Sequence, residues 1–458
     1  MAQIINIMNS IVWGIPVLAL ILIIGIYLTV ASKFAQIRLL PLAIRRFIHS
    51  IKIANPNADG ITGYRALCTA LAATVGTGNI AGVAGAIALG GPGTIFWMWI
   101  CAILGMITKM AEVTIALKYR VRNLRGEYIG GPMYSIQSGL KHKYIIFAYI
   151  YAFFGVIAAF GVGNATQVNT VIDGIKSIAS TKNQELDIRV LLTICVVIII
   201  LLTIAFKNGA KGIGRWAERL VPAASFAYIV LCAIFLLLCY DRIPYAFHAI
   251  VVGAFSPKSV SCGVLGSVFL TMRIGASRGV FTNEAGMGTA SIAHAAADID
   301  RPAEQGLMGI MEVFLDTIVI CTLTALVILC SNVTIPYGTD PGITLTMDAF
   351  SSVLGNWCRF LIIGLACVFS FATILGWSVY GMRCAQFIFG ESIDKFYVYC
   401  QSFAVLLGGV LNTSMVWSLS EIVNGLMAIP NLISLLFLSP VFLSAIKNYP
   451  NTKNAYRP

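Results

Sequence analysis

Two short stretches of this chain gather residues able to hold charged groups without being charged themselves. The first is Ala73-Thr74-Val75-Gly76-Thr77-Gly78-Asn79 and the second is Asn283-Glu284-Ala285-Gly286-Met287-Gly288-Thr289. Each sets glycines beside Thr and Asn within a run that is otherwise apolar and helix-forming, so a helix expected there is interrupted. Interruption frees backbone N–H and C=O groups, which cannot stay unpaired in lipid. The N–H groups at the start of a half-helix suit a carboxylate, helped by the positive end of the helix dipole. Freed carbonyls, with hydroxyl and amide oxygens nearby, suit a hard cation such as sodium.

The elements that position these stretches are long and apolar. Of 458 residues, 58% are hydrophobic and 11% charged, against about 25% charged in an average soluble domain. Mean hydropathy is +0.87. So few charges cannot clothe a surface in water, and runs of about 20 apolar residues match the hydrocarbon core of a bilayer. Such windows lie near residues 10–32, 66–89, 94–118, 145–173, 188–206, 218–240, 262–297, 305–331, 356–388, 396–412 and 416–446. They predict an all-α polytopic membrane protein of about eleven transmembrane helices. The first window lacks a basic start and a small-residue cleavage site, so it reads as a retained helix and not as a signal peptide.

The net charge of +12 collects in alternate loops. Lys33, Arg38, Arg45, Arg46, Lys52 and Arg65 precede the second window, and Arg120, Arg122, Arg125, Lys141 and Lys143 precede the fourth. Lys207, Lys211, Arg215 and Arg219 continue the series, as do Lys447, Lys453 and Arg457, whereas Ser331 to Phe350 carries Asp340 and Asp348 and no Lys or Arg. By the positive-inside rule the chain is multi-pass in a plasma (bacterial inner) membrane, its N-terminus outside and its C-terminus cytoplasmic. One extra helix then stands ahead of a ten-helix core that begins at Arg65. The two interrupted helices are the first and sixth of that core, in matching places of two five-helix halves of opposite orientation. Paired breaks of this kind mark a binding site between inverted repeats. The expected division is 1–64, extra helix and cytoplasmic loop; 65–240, first repeat; 241–446, second repeat; and 447–458, cytoplasmic tail.

Five motifs resemble those of the alanine or glycine:cation symporter family: Ala66 to Trp99, Gly130 to Tyr134 (GGPMY), Arg278 to Ala297 (RGVFTNEAGMGTASIAHAAA), Phe371 to Gly381 (FATILGWSVYG) and Asn424 to Leu432 (NGLMAIPNL). The resemblance runs from about Arg65 to the C-terminus. It implies a LeuT-like core of two inverted five-helix repeats behind one extra helix, and uptake of alanine or glycine driven by sodium as coupling ion, with no organic cofactor. It also implies that Gly76, Thr77, Gly78 and Asn79 meet the substrate carboxylate, and that Asn283 to Gly286 form the facing segment, with Met287 beside it crowding the pocket. Thr373 and Trp377 follow from the same likeness, Trp377 closing the apolar side and the hydroxyls of Thr373 and Ser370 serving the substrate amine or sodium. Val75, Gly76, Asn79 and Thr289 complete the expected sodium ligands. Met287, Thr289 and Ser291 replace the Leu, Ser and Pro of many relatives, which leaves pocket size open.

Other polar residues in apolar spans are costly unless partnered. Phe160, Asn164 and Gln167, in the third core helix, are spaced to share one face and to line the pocket. Lys109 and Glu112 read as a structural ion pair or a helix-end feature. Asp316, four residues after Glu312, has no basic residue within a turn, and reads as a proton-linked or sodium-linked carboxylate. Glu284 either balances a cation or caps a half-helix. Arg273 and Arg278 read as anchors or gates, and His294 as making a local hydrogen bond. Twelve cysteines without CxxC spacing read as packing residues. No Walker A or HExxH spacing occurs, and no basic-aromatic face suggests nucleic acid. Membrane lipids and the transported amino acid are the expected partners, with no obligate protein partner. Proton-coupled permease, non-transporting sensor and ion channel are the competing classes.

Overall fold

A computed structural model describes residues 8, 12–52, 61–181, 187–207, 209–255, 268–411 and 413–447. Helices occupy all eleven apolar windows. The first, α1 (Ile15–Ala31), turns sharply at Lys33 and Phe34, both in left-handed backbone (φ 56° and 58°), into α2 (Ala35–Arg38) and α3 (Leu40–Lys52). Next, α4 (Gly63–Thr74) starts where the Thr62 hydroxyl accepts the Arg65 N–H at 3.1 Å and stops at extended Val75. One 3-10 turn, Thr77–Asn79, then leads into α5 (Ala81–Gly90), and the two halves meet at 56°.

Beyond them run α6 (Thr94–Lys118), the hairpin β1 (Val121–Arg122) and β2 (Tyr128–Ile129), α7 (Pro132–Gly139), and α8 (Ile145–Phe160), which passes through a π-turn at Gly161–Ala165 into α9 (Thr166–Thr181). Then come α10 (Ile188–Phe206), α11 (Gly209–Leu238), α12 (Ile243–Phe255), and the second broken helix, α13 (Val268–Asn283) with α14 (Thr289–Ala295). A second π-turn, Phe314–Cys321, joins α15 (Pro302–Val313) to α16 (Thr322–Cys330). The chain continues through α17 (Thr344–Leu354), α18 (Trp357–Phe389), α19 (Asp394–Val410) and α20 (Thr413–Lys447).

Seven helical stretches among the described residues are long and apolar enough to cross a bilayer, eight with the bent pair α4–α5. Several segments read as loops are helical instead: α3, α7, α12 and α17 are too short to register in a window sized for a bilayer. Likewise α11 begins at Gly209, because its first turns are amphipathic, and α9 runs on to Thr181. The first residues of windows 10–32 and 262–297, and the tail after Lys447, lie outside the described residues.

Burial is inverted relative to a soluble protein. Ile200, Val197 and Leu237 stand exposed on the outer helices, while Lys109, Glu112, Glu284, Glu312 and Asp316 are 0–3% exposed. At the centre α6 packs on α13 and α15, and α18 packs on α8, α4 and α11. Both breaks therefore fall inside the bundle, where only protein can satisfy their backbone.

Candidate substrate and ion site

At the first break the freed groups find side-chain partners. Asn79 folds back, its Oδ1 accepting the Gly76 N–H at 2.9 Å. Gln167 of α9 presents Oε1 to the Thr77 hydroxyl (2.8 Å) and N–H (3.3 Å). The Asn79 amide nitrogen donates to Asp316 Oδ1 at 2.6 Å. Gly76 permits a close approach: a Cβ there would lie 2.5 Å from Thr373 Oγ1, so the hydroxyl rests against the bare α-carbon.

Positive φ values run through the second break: Glu284 at 54°, Gly286 at 92° and Gly288 at 76°. A left-handed non-glycine residue costs about 1–3 kcal/mol and persists only where its surroundings enforce it. Here Asn283 Oδ1 accepts the Ala285 N–H at 3.0 Å, and the Thr289 hydroxyl donates to Glu284 Oε2 at 2.5 Å. Capping of the α14 entry falls to Glu112, which accepts the Gly288 N–H (3.0 Å) and the Asn431 amide (2.7 Å) on one oxygen. Asn431 also donates to the Gly286 carbonyl at 2.9 Å. Gly286 thus turns toward Leu432 and Ile21 and away from the first break, and Met287 is fully buried in the apolar core.

The two breaks are joined through the π-turn after α15. Asp316 takes Asn79 on Oδ1 and the Thr317 hydroxyl on Oδ2 (2.7 Å), and Thr317 accepts the Asn283 amide at 3.1 Å. A π-turn, common at functional sites, puts adjacent residues 316 and 317 toward different breaks. Asp316 is fully buried, its hydrogen bonds come from neutral groups, and no ion pair to it occurs among the described residues.

Helix α18 closes the first break from the other side. Ser370 and Thr373, each 2% exposed, carry hydroxyls with no hydrogen-bond partner among the described residues, as does the Trp377 indole nitrogen. Buried hydroxyls without partners cost about 1–3 kcal/mol each, so these two sit where a further ligand would satisfy them. Trp377 fills the space above Gly163, whose Cβ would stand 2.1 Å from the tryptophan Cβ.

Phe160, Asn164 and Gln167 do not share one face. The π-turn Gly161–Ala165 inserts extra arc between them, so Phe160 stacks on Tyr397 (5.4 Å between centroids) and Asn164 donates to Gln401 Oε1 at 2.5 Å, both on α19. Only Gln167 reaches the break. Lys109 does not pair with Glu112; its ammonium lies 3.3 Å from Glu312. Glu312 also meets His294 Nε2 at 3.2 Å, whose Nδ1 is 2.7 Å from Gln305 Nε2, and Gln305 bonds the Gly63 carbonyl at 3.0 Å. This polar layer lies toward the basic-loop face of the bundle. Nothing in the sequence flagged Glu112 as a cap; the glycine at the α14 entry was the available hint.

On the opposite face a cavity of about 830 Å3 reaches Ala81, just past the first break, with Asp173, Lys176, Arg278, Asp340, Trp417 and Glu421 in its wall. Arg278 lies 3.2 Å from Asp340 and 3.4 Å from Glu421, and sits over the Trp417 ring at 5.4 Å. Trp417 stacks on Phe281 (5.1 Å, 29°), and Phe281 borders Gly78. An ion-paired arginine and two stacked rings therefore separate the cavity from the first break. Arg273, also on α13, makes no ion pair among the described residues and stands outside this cluster.

A chain with two broken helices, facing carboxamides and unused hydroxyls matches known transporters as a whole. The model of the sodium:alanine symporter family matches residues 1–457. The sodium/alanine symporter AgcS of Methanococcus maripaludis is 39% identical over 451 residues, covering 98% of this chain and 97% of that protein. A probable sodium/glutamine symporter of Bacillus subtilis, GlnT, is 35% identical, covering 99% and 91%. Among solved structures, the transporter MhsT in complex with L-phenylalanine superposes with a TM-score of 0.57 at 14% identity, covering 84% of this chain and 97% of that one, a likeness of fold alone. The fold is LeuT-like and the protein a multi-pass transporter rather than an enzyme. By the extent of that match and the motifs at both breaks, this chain belongs to the sodium:alanine symporter family.

Proposed function

We propose that this chain imports alanine and/or glycine together with sodium by alternating access. The carrying observation is Asp316, a buried carboxylate tied to both breaks by neutral donors, with the partnerless hydroxyls of Ser370 and Thr373 across the first break. Around the breaks lie four buried carboxyls, Glu112, Glu284, Glu312 and Asp316, against the ammonium of Lys109. Uncompensated buried charge is costly, so a bound cation stabilises this site. Sodium takes the Asp316 carboxylate, with Asn79 turned to offer its oxygen, or the Val75 and Gly76 carbonyls with Thr373 and Ser370. The amino-acid carboxylate takes the Thr77 to Asn79 turn beside Gln167, and Trp377 leaves room only for a small side chain. Thr289, held by Glu284, shapes the second break from one step back.

In this reading 65–240 and 241–446 are the inverted repeats, the basic-loop face is cytoplasmic and the 830 Å3 cavity opens outside. The name of the Bacillus relative makes glutamine the competing substrate. Purified protein in proteoliposomes with an inward sodium gradient should concentrate labelled alanine, with glycine competing and leucine and glutamine not. Labelled alanine that never exceeds its external concentration removes the symport reading, and stronger competition by glutamine reassigns the substrate.

A further inference from the structure

We propose that α2 and α3 form a seat for anionic phospholipid on the basic-loop face, and that lipid held there steadies the adjoining ends of α4 and α15. From Ser32 to Lys52 the sequence carries Lys33, Arg38, Arg45, Arg46 and Lys52 and no acidic residue. The inner side of α3, at Leu42 and Ala43, is buried, whereas Phe34, Ile37, Ile48 and Ile51 are about half exposed (46–56%), interleaved with exposed Lys33, Arg38, Arg45 and Lys52. Apolar and basic side chains alternating on one outward surface fit a helix lying in the interface, its apolar groups at the acyl boundary and its cations among the headgroups.

The turn that lays the chain down is fixed locally. Lys33 and Phe34 take left-handed backbone, Arg38 donates to the Ser32 carbonyl at 3.0 Å, and Gln36 donates to the Thr29 hydroxyl at 2.9 Å. The occupant is a lipid and not an acidic peptide or free phosphate, because four exposed apolar side chains need hydrocarbon beside the anionic group. The link to the site runs through the other side of α3. Arg46 pairs with Glu304 in the first turn of α15, and Phe47 packs on Tyr64 in the first turn of α4 at 6.4 Å. Those are the feet of the two helices that lead to Asp316 and to the first break.

Lipid binding is independent of the transported solute; only the uptake arm of the test rests on the transport reading. Native mass spectrometry of the purified full chain, offered phosphatidylglycerol and phosphatidylcholine together, should show retained phosphatidylglycerol. Arg45→Gln with Lys52→Gln should weaken that retention by about five-fold per charge. Unchanged preference in the double variant overturns the seat, and displacement of the lipid by inorganic phosphate overturns its assignment to lipid. In vesicles, phosphatidylglycerol mixed with phosphatidylcholine in equal parts should raise the initial alanine uptake rate over phosphatidylcholine alone. Arg46→Gln, and Glu304→Gln from the other side, should keep lipid retention and lose that acceleration; full acceleration in both overturns the coupling. Absence of uptake by the native chain in every lipid would count against the transport reading alone, since retention still judges the seat.

Discussion

Replacing Asp316 by Asn isolates charge from shape. The side chain keeps its volume, and its two hydrogen-bond positions stay filled: Oδ1 still accepts from Asn79, and the new amide can donate to Thr317 Oγ1, whose own proton can turn to Thr282 Oγ1 at 3.5 Å. What disappears is a unit negative charge at the junction of the breaks. Opposite charges about 4 Å apart attract by about 4 kcal/mol at an effective dielectric constant of about 20. Part of this is returned, because the ion-free variant no longer buries an uncompensated carboxylate. A net loss of about 1.5–3 kcal/mol in sodium binding remains, or about 10–100-fold in half-saturating sodium. The assay is initial alanine uptake against external sodium in proteoliposomes, with thermal unfolding of the purified variant as control. A normal sodium half-saturation with normal maximal rate would refute the assignment of Asp316 to the ion, whatever the variant does to stability.

Thr373→Ala removes a buried hydroxyl that makes no hydrogen bond among the described residues, so its melting temperature should hold or rise while uptake falls by about ten-fold or more; a parallel fall in both would make Thr373 structural. Asn164→Ala breaks the bond to Gln401 and should lower stability by about 1–2 kcal/mol without moving the alanine half-saturation, whereas Gln167→Ala should raise that half-saturation; equal effects on alanine would restore Asn164 to the pocket. Arg278→Gln removes the pairs to Asp340 and Glu421, and Gly78→Cys, behind the Phe281 and Trp417 rings, should then react faster with an impermeant thiol reagent; an unchanged rate would mean that Arg278 does not hold this face closed.

Both breaks, and a helix in each apolar window as far as the described residues reach, could be read from the sequence, because lipid favours long apolar helices and forbids unpaired backbone; seven of these stretches, eight with the bent pair, are long enough to cross. Glycine, Thr and Asn inside such a run are conspicuous for the same reason. Short helices escaped, since α3, α12 and α17 answer to no length rule. The partition of Phe160, Asn164 and Gln167 was hidden more deeply: an ideal helix puts them on one face, and the π-turn that separates them at Gly161–Ala165 leaves only paired glycines as a sign. Tertiary choices were equally out of reach. Lys109 and Glu112 are three residues apart and ought to pair, yet Glu112 gives its oxygen to the Gly288 N–H and Asn431 while Lys109 reaches Glu312. A freed N–H beside a glycine that no side chain can shield competes well for a carboxylate, and the sequence does not say which carboxylate will be near.

The placement of Glu312 and Asp316 ties the proposed ion site to the layer on the basic-loop face. They are four residues apart at the junction of α15 with its π-turn, Asp316 joined to Asn79 and Glu312 to Lys109 and His294. His294 continues through Gln305 to the Gly63 carbonyl at the start of α4, the helix whose other end is the first break. A displacement of α15 that opens this layer must therefore also move the carboxylate proposed to hold the ion, and in that reading an ion bound at Asp316 resists it. The opposite face obeys the same logic, since Arg278 and Phe281 lie on α13 within two turns of Asn283, which binds Thr317. Each polar layer is thus linked by hydrogen bonds to one side of a shared junction at residues 316 and 317. Coupling between ion and substrate requires such a junction, because a carrier whose two layers opened independently would leak sodium down its gradient without moving the amino acid.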